Sequence, residues 1–362
     1  MKILTPTTSF RNLYAFGKKC EIDLSLSENP LGCSPQVAME LSNISLKECF
    51  DYPDPDSTEL KMALSEQLNL DEKTIFIANG SEAIIKLLAE LFLSVGDEVI
   101  IPELTFPMFG IVSKLAEANV VLSTMTAGLD IDLTDIKSRI TSQTKLIFLC
   151  NPNNPTGRTL SANDITAFVK SVPVPVIVDE ANIEFGGESV IELAGRELVN
   201  LIVLRTFSKA FGLAGFRVGF AVASQKITQG LMQISQPFPI SAISQRAAAA
   251  ALADSAFIKK SQQLMKQERK FIANELTKLG LEVIPSQANN LIVKLPFSST
   301  KFVEQLNMQD VSVVDGAGFN LQGVEFIRVS PRLREANERF VEVVRRVICD
   351  KKEKFSLKVQ AK

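Results

Sequence analysis

Four groups of polar residues, each placed directly after a run of apolar ones, carry the chemistry this chain can do. The first is a lysine. Lys209 follows the apolar run 200–204 and stands in Arg205-Thr206-Phe207-Ser208-Lys209-Ala210-Phe211-Gly212, with Gly215, Arg217 and Gly219 close behind. Ala210, Phe211 and three glycines flank it, which is unlike a solvated stretch. An amine kept near cations and away from water loses proton affinity and becomes a nucleophile toward aldehydes. Thr206, Ser208 and Arg217 around it have the donors a phosphate needs. The second group is Asn79-Gly80-Ser81-Glu82, which opens a helix after the run 74–78. The free N–H groups of a helix start suit an anion; the plainer alternative is an ordinary N-cap by Ser81. The third is Asn151-Pro152-Asn153-Asn154-Pro155-Thr156-Gly157 after the run 145–150. Its prolines stiffen a loop from which Asn154 can present an amide to a ring oxygen, where a simple turn is the alternative. The fourth is Asp179-Glu180 after the run 174–178. An acid at the mouth of an apolar strand needs a cationic or proton-bearing partner, such as a protonated pyridine nitrogen, unless it is a helix cap or a surface acid.

Phosphate donors, an oxygen-binding amide, a buried acid and a desolvated amine together fit pyridoxal 5′-phosphate. What the chain lacks narrows the chemistry further. It has no histidine, which removes Ser-His-Asp and Cys-His nucleophiles and imidazole-bound zinc. Proton transfer near neutral pH then falls to Lys, Asp, Glu, Cys or a bound cofactor. Neither G-x-G-x-x-G nor G-x-x-x-x-G-K-[ST] is present, so the nucleotide fingerprints are missing. No metal site is expected.

These groups must be positioned by an α/β framework. The runs 74–78, 98–101, 120–124, 145–150, 174–178, 200–204 and 217–222 alternate with helical patterns at 81–94, 108–118 and 163–171. Such alternation predicts a mainly parallel, mixed sheet covered by helices on both faces, with ligands at the carboxyl ends of its strands. Residues 237–279 read as helical. Short strands at 282–284, 290–295, 311–314 and 325–329, a helix near 300–306 and a long one at 335–348 predict a second, smaller α+β domain. The expected organisation is an N-terminal segment 1–45 joining the small domain, a large domain 46–280, a small domain 281–349 and a tail 350–362 that frays. At 362 residues with 46% hydrophobic content, the chain has the size of about two globular domains. A formal charge of −2 argues against nucleic acid. The longest apolar stretch, 83–95, is interrupted by Lys86 and Glu90 and too short for a membrane span. Five cysteines without a C-x-x-C pair, and no apolar N-terminal region, point to a reducing, cytoplasmic setting.

Read together and in order, Ser27-Glu28-Asn29-Pro30, Tyr52-Pro53-Asp54-Pro55, Asn79–Glu82, Asn151–Gly157, Asp179-Glu180-Ala181 and Ser208–Arg217 resemble the fold-type I, class I/II aminotransferases, and within them the histidinol-phosphate aminotransferase family. The resemblance implies a pyridoxal-phosphate enzyme of amino-acid biosynthesis. It implies that Lys209 carries the cofactor as a Schiff base and shuttles a proton. Asp179 would keep the pyridine nitrogen protonated, and Asn154 would bind the ring oxygen. Backbone groups of Ser81 and Glu82, with Ser208 and Arg217, would hold the phosphate, and Tyr52 would reach the phosphate of a neighbouring subunit in a homodimer with shared sites. Arg328 would clamp the substrate's carboxylate or phosphate, with Asn29 and Tyr14 on the substrate side. Two positions depart from the family: Asn182 stands where a tyrosine is usual, and Phe106 where a hydroxyl-bearing aromatic is usual. Arg332 and Arg334 add unusual cations near Arg328. The implied reaction passes an amino group between an amino acid or amino-alcohol phosphate and a 2-oxo acid, histidinol phosphate and 2-oxoglutarate being the family's usual pair. The alternatives are a different donor, such as an aromatic amino acid, or a decarboxylase of the threonine-phosphate decarboxylase type. A cofactor-sensing regulator would need an appended DNA-binding domain, for which the segment before Tyr52 is too short and too acidic.

Overall fold

The computed structural model describes residues 20–319 and 323–360. In chain order it runs β1 (Ile22–Asp23), α1 (Pro35–Ser42), α2 (Leu46–Phe50), α3 (Thr58–Leu68), β2 (Ile75–Ala78), α4 (Gly80–Phe92), β3 (Glu98–Pro102), α5 (Met108–Leu115), β4 (Asn119–Ser123), α6 (Leu133–Ser138), β5 (Thr144–Cys150), α7 (Ala162–Lys170), β6 (Val176–Asp179), β7 (Leu201–Thr206) and β8 (Gly219–Val222). It continues through α8 (Gln225–Ile234), α9 (Ala242–Ala253), α10 (Ser255–Lys278), β9 (Glu282–Val283), β10 (Leu291–Lys294), α11 (Ser299–Met308), β11 (Val311–Ser312), β12 (Val314–Asp315), β13 (Phe326–Val329) and α12 (Arg334–Gln360).

Strands β2 to β8 form one seven-stranded sheet in the order β2-β8-β7-β6-β5-β3-β4. Only β8 reverses direction, running antiparallel to β2 and β7, so the sheet is mixed and mainly parallel. Its central strands are apolar through the middle of their length because both faces are covered, with polar residues only at their ends. Val176, Val178, Leu201 and Val203 belong to the core on one face. Ile177, Ile202 and Leu204 belong to the core on the other, as the two-residue period of a strand requires.

A second, antiparallel sheet has the order β12-β13-β10-β9. Leu291, Val293, Ile327 and Val329 from it pack with Phe302 of α11 and Phe340 and Val344 of α12. Ile22 and Leu24 join the same core, and β1 pairs parallel with β11. The start of the described chain is therefore part of this smaller assembly.

Residues 237–279 are mainly helical, as read, and the stretch holds two helices. Asp254 ends α9 with φ −93° and ψ 74° and caps α10 by accepting from the Phe257 amide at 3.0 Å. The run 311–314 divides, because Val311–Ser312 pairs with β1 while Val314–Asp315 pairs with β13. The tail is not frayed from residue 350, since α12 continues to Gln360. Among the described residues no helix is long and apolar enough to cross a membrane.

Candidate active site

The parallel strands bring their chemistry together at one edge. Cys150, the last residue of β5, pairs in register with Asp179, the last residue of β6, and Asp179 pairs with Leu204 of β7. Beyond these ends lie Asn154, Asn182 and the Ser208-Lys209 turn. They line a cavity of about 440 Å³ together with Ser81, Glu82, Phe106, Arg217 and Arg328.

Asp179 is 3% exposed. Burial pushes its carboxyl up to about 7, against the Ala181 amide that donates to Oδ1 at 3.0 Å and pulls the other way. Lys209 is shifted in the opposite direction, down to about 8. Burial is the first cause, and the Arg328 guanidinium the second. Both shifts favour the uncharged forms, as expected of ionisable groups taken out of water without a matched partner.

One end of the cavity is built for an anion. Arg217 donates from Nη1 to Ser208 Oγ at 3.2 Å and lies 3.5 Å from Glu82 Oε2 through Nη2. Thr206 Oγ1 accepts from the Ser208 amide at 3.1 Å and donates to its hydroxyl oxygen at 3.0 Å. The first turn of α4 adds its unpaired N–H groups. Gly80 makes this packing possible. Its φ is +80°, and a Cβ there would sit 2.8 Å from Arg217 Nη2.

Aromatic packing sets one wall. Phe106 meets Phe109 edge to face at 5.6 Å, and Phe109 stacks on Phe148 at 4.6 Å, leaving Phe106 to line the cavity. The loop after β5 is held from inside. Asn153 donates to the Leu104 carbonyl at 2.9 Å and to Thr156 Oγ1 at 3.0 Å, and accepts from Thr105 Oγ1 at 2.9 Å. Its neighbour Asn154 is left pointing at the cavity, where Oδ1 accepts from Arg328 Nη1 at 3.0 Å. Asn182 also lines the cavity, and its buried Oδ1 has no hydrogen-bond partner.

An anion cradle, a planar aromatic wall, two amides and a buried acid opposite a depressed amine fit pyridoxal phosphate in size and in chemistry. The orphaned Asn182 carbonyl fits as well, since a buried polar atom without a partner marks a place where a ligand belongs.

The family model for aminotransferase class I and II matches residues 20–344. The chain belongs to that family. Histidinol-phosphate aminotransferase of Moorella thermoacetica is 34% identical over 92% of this chain and 87% of its own length. That of Methanocaldococcus jannaschii is 35% identical over 92% and 91%. Among solved structures, histidinol-phosphate aminotransferase from Sinorhizobium meliloti in complex with pyridoxal-5′-phosphate superposes with a TM-score of 0.85 at 25% identity, covering 93% of each chain. This aminotransferase has the fold-type I architecture and uses pyridoxal phosphate as its cofactor.

Not every residue singled out in the sequence lies in the aminotransferase's cavity. Asn29 is a correction. Its Nδ2 donates to the Ala210 carbonyl at 2.7 Å and to Ser261 Oγ at 2.8 Å, and Oδ1 accepts from the Leu31 amide at 3.0 Å. That amide is consumed in fixing the chain beside Lys209, and the cavity is lined instead by Ser27 and Glu28. Tyr52 is 82% exposed and stacks on Phe238 at 4.5 Å, away from the cavity of its own chain. Tyr14 lies outside the described residues. Arg334 turns away to pair with Glu268 at 2.9 Å and to sit 4.0 Å over the Phe271 ring. Arg332 reaches Glu28 at 3.0 Å.

A buried charge cluster behind Asp179 escaped the sequence reading. Arg205 donates from Nη2 to Glu180 Oε2 at 3.0 Å and reaches Glu184 Oε1 at 3.4 Å through Nη1. One guanidinium serves two buried acids, and burial pushes Glu184 up to about 7. The signal was present: Glu180 and Arg205 each follow a buried run, and their strands are neighbours.

Proposed function

We propose that this aminotransferase takes its amino group from histidinol phosphate and delivers it to 2-oxoglutarate. The observation that carries the reading is a second anion site. Arg328 is 5% exposed and lines the same cavity as the Arg217–Ser208 cradle, so the cavity has guanidinium groups for two phosphates. The full-length relatives named for histidinol phosphate support it.

Pyridoxal phosphate supplies an aldehyde carbon and a ring that delocalises the charge left at a deprotonated carbon. The backbone N–H groups of Ser81 and Glu82 at the start of α4, with Ser208 and Arg217, would hold its phosphate. Phe106 would supply a face for its ring, and Asn154 and Asn182 would supply amides for its ring oxygen. Asp179 would be the partner of a proton on the ring nitrogen, which a carboxyl buried away from water otherwise lacks. Lys209, at about 8, keeps part of its amine unprotonated near neutral pH, as attack on an aldehyde requires. Once free, its Nζ would be the base that takes the proton from the donor's Cα. Arg328 orients donor and acceptor in turn through a bidentate contact to phosphate or carboxylate.

The same reading divides the chain into an N-terminal segment 1–45, a cofactor-binding domain 46–280, a smaller domain 281–349 and a tail 350–362. The two separate sheets and cores support two units, although Val37 packs in the larger core and Ile272 and Leu276 in the smaller one. It also makes the working unit a cytoplasmic homodimer in which Tyr52 serves the partner's phosphate. Met39, Leu46, Phe50 and Tyr52 are 64–82% exposed in one stretch of chain, a grouping that favours burial against a second copy. All five cysteines are unpaired, which suits a reducing compartment.

The test is a donor screen on the purified enzyme, following the amino form of the cofactor by absorbance and the keto product by mass. Histidinol phosphate should give the highest kcat/KM. A higher value for phenylalanine or tyrosine, or carbon dioxide as the product, overturns the reading.

A further inference from the structure

Three acids line the cavity. Asp179 is buried at the end of β6, and Glu82 lies against Arg217. The third, Glu28, stands at the mouth with its side chain 48% exposed. Nothing in the cofactor's chemistry needs a carboxylate there.

The backbone that carries Glu28 is fixed at alternate residues. The Ser25 carbonyl accepts from Arg328 Nη2 at 2.7 Å, the Ser27 carbonyl from Asn289 Nδ2 at 2.8 Å, and the Asn29 side chain holds Ala210. Ser25, Ser27 and Asn29 are buried, while Leu26 and Glu28 between them are less so and line the cavity. The carboxylate itself is held from behind. Arg332 donates to Glu28 Oε2 at 3.0 Å through Nη2, and its Nε donates to the Asp23 carbonyl at 2.6 Å. Arg332 is fixed in turn by Asn337, which accepts from its amide at 2.9 Å and donates to its carbonyl at 2.7 Å. An isolated half-exposed ion pair contributes little to stability, whereas a carboxylate held in one place is a recognition group. Glu28 and Lys209 line the same cavity.

We infer that Glu28 selects the amino donor by accepting a hydrogen bond from an N–H on the donor's side chain, and that Arg332 is its positioning residue. The inference rests on the proposed donor, whose imidazole ring carries such an N–H. A charge-assisted hydrogen bond of this kind rewards a nitrogen heterocycle over a phenyl ring of similar size. It also has a cost in the second half of the reaction. A dicarboxylic acceptor brings a second carboxylate to the same mouth, and Glu28 repels it.

The opposing signs supply the test. The two half-reactions are measured separately by stopped-flow absorbance on loaded enzyme, with histidinol phosphate as donor and 2-oxoglutarate as acceptor, for wild type, Glu28→Gln, Glu28→Asp and Arg332→Gln. In Glu28→Gln the donor half-reaction should lose about ten- to hundredfold in kcat/KM, the scale of a hydrogen bond to a charged group, while the acceptor half-reaction holds or improves. Glu28→Asp should recover part of the donor loss, and Arg332→Gln should raise donor KM more than it lowers kcat. A donor loss below about tenfold, the lower end of that scale, or a parallel loss in both halves, overturns the inference. A wild-type enzyme inert toward histidinol phosphate overturns the proposed donor instead, a result that the variants play no part in.

Discussion

Arg328 Nη1 donates to Asn154 Oδ1 at 3.0 Å, which ties β13 of the smaller sheet to the loop after β5 of the larger one. The proposed substrate clamp and an amide proposed for the cofactor's ring oxygen are thus directly joined. Arg328→Gln should raise KM for donor and acceptor alike, with binding weakened by about 2–5 kcal/mol because substrate anions lose their buried partner. Cofactor affinity should fall much less, since Asn154 stays on its own loop. Initial-rate kinetics and equilibrium dialysis measure the two effects. Equal losses in both would contradict the assignment of Arg328 to the substrate.

Lys209 is the residue expected to bond covalently to the cofactor. Borohydride treatment of loaded enzyme, followed by digestion and mass spectrometry, should place the reduced adduct on the peptide containing Lys209. Lys209→Ala should bind pyridoxal phosphate yet yield no adduct. An adduct on any other lysine in that variant would refute the role.

The cofactor-free protein should show an unusual dependence of stability on pH. Lys209 releases its proton at about 8 in the native chain, against roughly 10.4 when exposed. Between those values the unfolded chain holds the extra proton, so stability rises with pH. Asp179 and Glu184 keep theirs up to about 7, against roughly 4 when exposed. In that lower window the native chain holds the extra protons, so stability falls as pH rises. The contribution of these three groups is therefore least favourable near pH 7–8. Melting curves of Asp179→Asn minus wild type should remove part of the lower slope, Glu184 supplying the remainder, and Lys209→Met should remove the upper one. Variants whose differences from wild type are flat with pH would contradict both shifts.

Subunit association should be sensitive to the exposed apolar stretch before Tyr52. Wild type should sediment at twice the 39.7 kDa chain mass. Phe50→Asp, which puts a charge where the side chain is 74% exposed, should shift the protein toward monomer and lower activity with it, because Tyr52 would no longer meet the partner's site. A fully active monomer would show that the sites are not shared.

The residues that line the cavity were legible because most of them stand at strand ends. Lys209, Asp179 and Asn154 each follow an apolar run, and a polar residue there has few places to go except into the crevice at the carboxyl edge of a sheet. The same logic gave Arg217, just before β8. Asn29 misled because a side chain's neighbours in sequence do not reveal which backbone groups will need its amide. Its hydrogen bonds go to Ala210 and Ser261, some 180 and 230 residues away, and the adjacent Glu28 lines the cavity instead. The Arg205–Glu180–Glu184 cluster went unread because its members meet only once β6 and β7 lie side by side. Helices α1 to α3 and α6 also escaped. They are short or weakly patterned; α1 and α6 bury only Val37 and Ile136, and residues so sparsely apolar leave little periodic trace.

The pinning of residues 25 to 29 has a mechanical meaning. Ser25 is fastened to Arg328 on the smaller sheet, and Asn29 to Ala210 in the turn that carries Lys209 after β7 of the larger one. A short strap thus bridges the crevice, and Glu28 rides on it. Neither end of the strap can shift without disturbing a contact to Arg328 or to the turn that carries Lys209.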